Sequence, residues 1–475
     1  MEATSSLTAT LALLLWMPLS LLVFSIAKPH RAVAFLFIYG TILLPELEYF
    51  DIKLLPNMNK KTIVCGWVFS PMLIWCRSRL KKVDLGRLPW LLFALVVLVD
   101  VGRAVTNQDG MVVGGRVING IAIHTALTFM MEDFLLVFVP FVVGSVMFNE
   151  RDTLRDFFRT FCGAALLYVP LVAVELRLSP QWHSWVYGYH QHSWVQVMRD
   201  GAYRPMVFMQ HGLAVALFMA TAAVLAFGLA RAKEKIRRFG VFPFAVLLAL
   251  VVALSHSLGA FLFVLALAPL VWFTSPRTQL RAAALLGLLV MLYPMLRAYD
   301  WFPTKSVVSL ARSISEDRAG SIEFRFHNED IALERAFERP IFGWGGFDRI
   351  FVFDKESGDE LSTLDGFWLI TYAASGVLGF IARFGLLTWP VWLAFKRIRR
   401  VPAKADQILL ATLGVATAMI AVDLLPNGMF TYFPHLFAGV LLGATRQLSR
   451  RDAVAGGRIV SKHPQPIEMH AATSL

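Results

Sequence analysis

Residues 212–230 read GLAVALFMATAAVLAFGLA, a run of apolar and small side chains without a charged residue. A helix of this length reaches about 28 Å, close to the ~30 Å hydrocarbon core of a bilayer. Similar runs recur along the chain. Their repetition predicts an all-α, polytopic transmembrane helix bundle, whereas a β-barrel would show short segments of alternating hydrophobicity.

The composition also indicates a membrane protein. Of the 475 residues, 57% are hydrophobic and only 16% are charged, and the mean hydropathy is +0.60. A soluble protein would carry roughly a quarter charged residues. Because several runs are short, we expect about 12–13 spans. The candidate spans are residues 7–27, 32–45, 62–76, 88–102, 127–148, 161–178, 206–230, 240–255, 257–273, 282–297, 366–395, 407–424 and 430–446.

The first apolar run, residues 7–27, lacks a basic leading segment and a small-residue cleavage site. We therefore interpret it as a retained helix rather than a signal peptide.

Lysine and arginine are unevenly distributed between alternate connections. One set of connections and the C-terminal tail hold 27 of these residues, and the opposite short connections hold 7. The positive-inside rule places the rich set in the cytoplasm. Residues 179–205 and 299–365 then face the periplasm of a bacterial inner membrane.

This pattern divides the chain into four parts. Residues 1–298 are N-terminal transmembrane helices with an outer loop at 179–205, and residues 299–365 are a large periplasmic loop containing amphipathic helices. Residues 366–446 are C-terminal transmembrane helices. Residues 447–475 are predicted to be a disordered cytoplasmic tail.

The stretch 299–365 is the longest polar interruption, and it holds 14 of the 33 acidic residues. It ends in Leu364-Asp365-Gly366, which is followed after nine residues by Gly376-Val377-Leu378-Gly379. A carboxylate, Asp365, is thus delivered to the membrane surface. The alternative is that Asp365 only caps the next helix.

Within this stretch, residues 323–338 lack glycine and proline and mix apolar with charged side chains. The pattern predicts an amphipathic helix at the membrane surface that stops at Pro340. Gly343-Trp344-Gly345-Gly346 follows, either as a plain turn or as backbone that approaches a ligand closely.

The other outer loop is rich in tryptophan and histidine. The tryptophans of this loop either anchor the protein at the membrane interface or stack on sugars; they are Trp182, Trp185 and Trp194. Trp344 is a further candidate for sugar binding. His190 and His192 have no third ligand at a suitable spacing. The three cysteines are scattered, which predicts small apolar packers and neither a disulfide framework nor a metal site. No metal and no cofactor are expected. The three cysteines are Cys65, Cys76 and Cys162.

Polar groups also lie at the outer ends of apolar runs, where they are costly and commonly functional. Arg204 either pairs with lipid headgroups or holds a lipid-linked diphosphate. His211 follows it by about two helical turns. Ser255-His256-Ser257 caps helices or lines the same site. Glu132 and Asp133 are expected to pair with one of the outer arginines.

Taken in order, these features resemble the O-antigen polymerase/ligase superfamily, which joins lipid-linked polysaccharides. The resemblance covers most of residues 203–443. It includes an arginine before an outer helix, as at Arg204, and an arginine-bearing amphipathic helix followed by proline and a glycine turn, as at Arg325. In ligases, a His-Asn pair is followed after nine residues by a Gly-x-x-Gly motif. In this chain Asp365-Gly366 takes the place of the His-Asn pair, and Gly376-Val377-Leu378-Gly379 follows after the same nine residues.

Two departures modify what the resemblance implies. Asp365 stands where a ligase has its proposed catalytic histidine, which favours a polymerase of the exopolysaccharide or O-antigen type. Leu258 stands where many members carry an arginine, so the phosphate-binding set is one arginine short unless His256 or another residue substitutes.

The resemblance implies a GT-C-like membrane glycosyltransferase that transfers glycan from an undecaprenyl-diphosphate donor to a sugar hydroxyl. The reaction would be metal-independent and would invert the anomeric centre. Arg204 and Arg325 would bind the diphosphate, Asp365 would act as base, and His211 would support it. Expected partners are the lipid-linked oligosaccharide, membrane lipids and chain-length regulator or export proteins, with no nucleic acid.

Three alternatives stay open. An O-antigen ligase would transfer the glycan to lipid A-core. A flippase or transporter of lipid-linked glycan would carry more charged residues inside its spans. A structural membrane scaffold would leave the outer polar cluster unexplained.

Overall fold

The chain is mostly helical in the computed structural model, which describes residues 6–194, 197–199, 201–236, 239–429 and 432–456. A π-helical turn (Phe134–Phe138) joins α6 to α7, and 3-10 turns lie at Phe347–Arg349 and Ile398–Arg400. The helices are α1 (Leu7–Ile26), α2 (Pro29–Leu43), α3 (Lys60–Trp75), α4 (Arg77–Leu80), α5 (Arg87–Val105), α6 (Thr125–Asp133), α7 (Val139–Met147), α8 (Arg151–Leu178), α9 (Trp182–Tyr187), α10 (Gly212–Arg231), α11 (Phe242–Leu254), α12 (Leu258–Phe273), α13 (Pro276–Ala298), α14 (Thr304–Arg312), α15 (Glu316–Phe337), α16 (Phe367–Arg397), α17 (Lys404–Asp423) and α18 (Phe433–Gly456).

The strands in the described residues are short and form antiparallel hairpins between helices. They are β1 (Tyr49–Phe50) with β2 (Met58–Asn59), β3 (Met111–Val113) with β4 (Arg116–Ile118), β5 (Met198–Arg199) with β6 (Ala202–Tyr203), and β7 (Lys235–Ile236) with β8 (Phe239–Gly240). They close loops and build no larger sheet.

Across the described part of the chain, eight helical segments are long and apolar enough to cross a membrane. Three shorter apolar helices, α2, α11 and α12, accompany them. The predicted all-α, polytopic bundle is therefore confirmed, and the protein is a multi-pass membrane protein. Each predicted apolar run falls on a helix, while the number of spans stays a prediction. The eight segments are Leu7–Ile26, Arg87–Val105, Thr125–Met147, Arg151–Leu178, Gly212–Arg231, Pro276–Ala298, Phe367–Arg400 and Lys404–Asp423.

Helix ends differ from the apolar runs where polar residues extend or stop the helix. Helix α8 begins at Arg151, well before its apolar run, because Glu150 and Thr153 form a capping box. Helix α10 begins only at Gly212, after a bend in which Val207 has φ 52°. Helix α18 continues to Gly456, so residues 447–456 of the predicted tail are helical.

Small residues let the central helices approach closely. Helices α10 and α17 lie at the centre, and 83% of the most apolar 18-residue stretch of each helix is buried inside the protein. On α18, a methyl group at Gly439 or Gly443 would lie 2.0 Å from the carbonyl oxygen of Phe141 or Ser145. This G-x-x-x-G spacing brings α18 against α7, because membrane helices associate through such close packing. All three cysteines are buried and free, as predicted.

Helix α16 is broken at Gly376, where the backbone adopts φ 64° and ψ −172°. The segment 340–345 packs into the break. The Trp344 and Gly345 N–H groups donate to the Ala373 and Ala374 carbonyls at 2.8 and 2.9 Å, and the Val377 N–H donates to the Pro340 carbonyl at 2.8 Å. The loop 299–365 thereby satisfies backbone groups that the break leaves without helical partners.

Charged side chains buried beside this break pair with one another. Arg383 donates to Ser375 Oγ at 2.7 Å and to Asp133, so it bridges the two halves of α16 and joins them to α6. On α5, Arg103 and Asp100 form an ion pair at 3.0 Å. The expectation that Asp133 pairs with an outer arginine is wrong, because its partner Arg383 lies inside the bundle.

Replacing Gly376 by alanine should destabilise the protein by more than about 1 kcal/mol, since alanine is strained at positive φ. The new methyl would also lie 2.2 Å from the Ile341 carbonyl oxygen. Thermal unfolding of the detergent-purified variant measures the effect. The matched control is Gly163→Ala, whose methyl would meet nothing within 4 Å. Equal melting temperatures for both variants would contradict this account of the break.

Candidate active site

Helix α15 is attached to the bundle by a buried ion-pair network. Arg297 of α13 donates to Glu329 at 2.8 Å and to Asp330 at 2.7 Å. Tyr293 and Trp368 also donate to the Glu329 carboxylate. These contacts hold α15 across the outer ends of α13 and α16, which orients the side chains on its neighbouring turns.

The predicted helix at residues 323–338 is present, and α15 ends at Phe337 before Pro340. On its apolar face, Ala332, Leu333 and Ala336 are buried in a cluster with residues of α16. The helix thus packs against the protein, and its position at the membrane surface stays a prediction.

Arg325 and Asp365 meet at this end of the bundle. Arg325 Nε lies 3.5 Å from an Asp365 carboxylate oxygen, and the two side chains are 30% and 44% exposed. Asn328, one turn along α15, accepts a hydrogen bond from the Thr363 N–H at 2.6 Å. This bond fixes the chain just before Asp365. The pair is thus held in place and still open to a ligand.

Asp365 does not cap α16. The N-cap residue is Gly366, and no side chain caps this helix. The first turn is instead satisfied by the segment after α17, because the Phe367 N–H donates to the Asn427 carbonyl and the Trp368 N–H to the Leu424 carbonyl, both at 3.2 Å. The capping interpretation of Asp365 is therefore not supported, and its carboxylate remains available for chemistry.

Arg204 and His211 belong to the same neighbourhood. Arg204 donates through Nε and Nη2 to the His256 carbonyl at 3.3 and 3.2 Å. His211 caps α10, and its Nδ1 accepts from the Leu213 N–H at 3.0 Å. Burial, then the charges of His192, Arg204 and Arg325, lower the pKa of His211 to about 3.

The charge of Arg325 therefore reaches His211, and it also reaches Asp423 at the end of α17. Arg204, His211, Arg325 and Asp365 come from distant parts of the sequence and lie at one end of the bundle. The geometry brings two guanidinium groups, a carboxylate and a neutral imidazole together. Such a set can bind an anion and accept a proton.

Helix α12 begins at Leu258, where an arginine was expected from the resemblance. Ser257, its N-cap residue, makes no side-chain capping bond, and Ser255 Oγ donates to the Val251 carbonyl instead. A methyl at Gly259 would meet nothing within 4 Å. An uncapped helix N-terminus presents N–H groups and partial positive charge, which favour an anion.

Glu175 organises the outer loop, a role that the sequence did not reveal. Its carboxylate accepts from the N–H groups of Gln181 and Trp182 at 3.0 Å and from those of Met206 and Val207 at 2.8 Å. Glu175 itself is fully buried. It fixes both ends of the segment that carries Arg204. A single carboxylate at the outer end of an apolar run was the available signal.

The four candidate sugar-binding tryptophans differ in exposure. Trp185 and Trp194 are 57% and 52% exposed and can offer ring faces to a sugar. Trp182 contacts Trp185 edge to face at 5.2 Å. Trp344 is only 5% exposed, and the Arg335 guanidinium covers its ring at 3.3 Å. Its indole N–H donates to the Arg335 carbonyl. Trp344 thus serves to anchor the glycine turn.

Two buried histidines should make stability depend on pH. His183 donates to the Tyr189 carbonyl and accepts from the Glu46 N–H, and burial lowers its pKa to about 4. His211 behaves alike. Because the unfolded chain binds these protons near pH 6.5 and the folded chain does not, stability is lost as pH falls from 6.5 towards 4.

The melting temperature of detergent-purified protein should fall over this pH range, and it should fall less steeply in a His183→Gln, His211→Gln variant. His124→Gln, at an exposed position, serves as the control and should keep the original slope. An unchanged slope in the double variant would show that these histidines are not the cause.

Residues 243–384 match the sequence model of a family described as O-antigen ligase. The matched region contains Arg325, Asp365 and the break at Gly376, and it ends before α17. Arg204 and His211 precede it. No curated protein matches the chain significantly.

The matched region thus includes the loop, the break in α16 and two of the four candidate site residues. This match supports the resemblance to the O-antigen polymerase/ligase superfamily that was drawn from Arg204, Arg325 and the Asp365-to-Gly376 spacing.

Proposed function

We propose that the protein is a polysaccharide polymerase that transfers glycan from an undecaprenyl-diphosphate-linked donor to a sugar hydroxyl of a second lipid-linked glycan. One observation carries the proposal: Arg325, which lies 3.5 Å from Asp365, and Arg204 both act electrostatically on His211. On this proposal the site faces the periplasm of a bacterial inner membrane, and chain-length regulators or export proteins are its partners.

The donor diphosphate is held by Arg204, Arg325 and the N-terminus of α12. Guanidinium groups bind phosphate oxygens with two parallel hydrogen bonds, and they stabilise the negative charge that develops on the leaving group. The uncapped first turn of α12 takes the place of the arginine that Leu258 lacks. This arrangement supports diphosphate binding without a metal ion.

Asp365 is the general base. It accepts the proton of the attacking hydroxyl as that oxygen bonds to the anomeric carbon. The bond from this carbon to the diphosphate oxygen breaks, and undecaprenyl diphosphate leaves with the electron pair. When the diphosphate engages Arg325, the guanidinium no longer pairs with Asp365, and the carboxylate is free to accept the hydroxyl proton. A single displacement of this kind inverts the anomeric centre.

His211 has a supporting role. Its Nδ1 is occupied by the Leu213 N–H, and the imidazole is neutral at physiological pH because its pKa lies near 3. Nε2 therefore carries a hydrogen atom that can be donated to a substrate oxygen. The histidine orients the substrate, and the proton acceptor remains Asp365.

A polymerase is favoured over a ligase because Asp365 occupies the place of the ligase histidine. A polymerase transfers the glycan to a second lipid-linked repeat, whereas a ligase transfers it to lipid A-core. A flippase is disfavoured by the pairing of the charges inside the bundle. Asp133 of α6 pairs with Arg383 of α16, and Asp100 pairs with Arg103 within α5.

Asp365→Asn should abolish lengthening of a defined undecaprenyl-diphosphate oligosaccharide by the purified protein, with a loss of at least about a hundredfold. The amide keeps the shape of the carboxylate but cannot accept the proton. Products are scored by gel and mass spectrometry.

The matched control is Asp359→Asn, an exposed aspartate of the same loop, which should lengthen the glycan at the normal rate. Both variants should keep the melting temperature of the unmodified protein. A normal distribution of polymer lengths with Asp365→Asn would remove Asp365 from the mechanism, and transfer only to lipid A-core would replace the polymerase by a ligase.

A further inference from the structure

Four arginines come together at the end of the bundle opposite Asp365. One ends α16, one lies in the 3-10 turn that follows it, and two lie on α18. The charges of the other three act on Arg397, so the four guanidinium groups lie near one another. They form the arginine cluster: Arg397, Arg400, Arg446 and Arg450.

Two helices place the cluster at that end of the bundle. The part of α16 after its break, residues 377–397, is about 31 Å long, and Arg397 is its last residue. Asp365 lies before the start of α16, so the hydrocarbon core of a bilayer fits between the two. Helix α5 packs against α16. Asn107, just after the last turn of α5, donates to the Gly343 carbonyl near the break at 2.9 Å, so the first turn of α5 lies at the cluster.

A single carboxylate bonds to the cluster among the residues that the structure describes. Asp84, just before α5, accepts from Arg446 at 2.7 Å and from Arg450 at 2.6 Å. The hydrogen bond from Arg446, and then that from Arg450, lower the pKa of Asp84 to about 2. In the same described residues, the side chains of Arg397 and Arg400 make no ion pair or hydrogen bond. Four positive charges therefore face one negative charge.

The turn before α5 gives the cluster a fixed shape. Gly86 has φ 83°, and a methyl group there would lie 2.6 Å from Arg446 Nη1. The Gly86 N–H donates to the Asp84 carboxylate at 3.2 Å. The backbone thus comes as close to the guanidinium as a glycine permits, and Arg446 is held in place at this turn. A positioned guanidinium loses less conformational entropy when it binds a ligand than a free one does.

Exposed tryptophans mark the level of the membrane interface beside the cluster. Trp90 lies in the first turns of α5 and Trp392 near the end of α16, and both rings are exposed on the surface of the bundle. Lys396 Nζ lies 4.2 Å from the centre of the Trp392 ring. Tryptophan rings collect where the hydrocarbon core meets the headgroups. Arg397 lies about 8 Å beyond Trp392 along the helix, which is the level of the lipid phosphates.

This combination suits the headgroup of an anionic phospholipid. Phosphate oxygens accept two parallel hydrogen bonds from one guanidinium group, and their negative charge relieves the repulsion within the cluster. The headgroup of phosphatidylcholine carries an ammonium group of its own, which cancels its phosphate charge. A lipid is favoured over a free anion because the exposed tryptophans place the cluster at the bilayer, where anionic headgroups are concentrated.

We propose that the arginine cluster is a binding site for an anionic phospholipid of the leaflet opposite the proposed active site. The lipid phosphate bridges the end of α16, through Arg397 and Arg400, to α18, through Arg446 and Arg450. It supplies the negative charge that Asp84 alone does not provide. This inference does not depend on the proposed function, since none of these residues belongs to the candidate active site.

The test is lipid binding by the purified full-length protein in a neutral detergent. Phosphatidylglycerol and phosphatidylcholine with the same acyl chains are titrated separately, and the lipid-bound fraction is measured by native mass spectrometry. The first phosphatidylglycerol should bind at least about tenfold more tightly than the first phosphatidylcholine, because each basic residue near a headgroup contributes roughly fivefold to affinity for an anionic lipid.

The variant Arg397→Gln, Arg400→Gln should lower the affinity for phosphatidylglycerol at least about tenfold and leave that for phosphatidylcholine unchanged. Neither arginine bonds within the described protein, so the melting temperature in neutral detergent should not fall. Arg450→Gln, at an exposed position, provides a second variant and should lower the affinity about fivefold.

The matched control is Lys233→Gln, Lys235→Gln, which removes two exposed cations from the connection between α10 and α11 at the same end of the bundle. It should keep the affinity of the unmodified protein. An equal loss of affinity in this control, equal binding of the two lipids to the unmodified protein, or a preference that survives Arg397→Gln, Arg400→Gln would overturn the inference. Displacement of phosphatidylglycerol by millimolar inorganic phosphate would also overturn it, because the cluster would then hold a free anion.

Discussion

The arrangement of the candidate site depends on the hydrogen bonds that join segment 340–345 to the broken helix α16. Within an apolar bundle, backbone N–H and carbonyl groups without partners cost several kcal/mol each. The break at Gly376 would leave such groups at Ala373, Ala374 and Val377, and the segment supplies a partner for each of them. The large loop is therefore part of the bundle, because removing it would uncover these groups.

This constraint explains how a polar loop can hold the proposed catalytic groups in fixed positions. Residues 367–375 form the part of α16 before the break, about 13 Å of helix, and Asp365 lies at its outer end. The break sets the direction of this part, Arg383 bridges its two sides, and α15 is fixed independently through Arg297. Arg325 and Asp365 then meet although they lie on separate elements. Glu175 fixes the segment that carries Arg204 by accepting hydrogen bonds from four backbone N–H groups of that segment.

The bundle and its helices follow from hydrophobicity and length, so they could be predicted from the sequence. The end of α15 before Pro340 was also predictable, since proline cannot continue a helix. The convergence of Arg204, Arg325 and Asp365 was inferred from a resemblance, because nothing local in the sequence encodes proximity between residues on separate elements. The partners of Asp133 and Glu175 were not predictable, since they depend on how helices pack.

The most direct measurement is an electron cryo-microscopy structure of the full-length protein with undecaprenyl diphosphate in lipid nanodiscs. The account predicts diphosphate density bound by Arg204 and Arg325 at the N-terminus of α12. The Asp365 carboxylate should lie on the side from which an acceptor approaches, and segment 340–345 should remain bound in the break of α16. Diphosphate density away from both arginines, or a loop that has left the break while the diphosphate is bound, would contradict it.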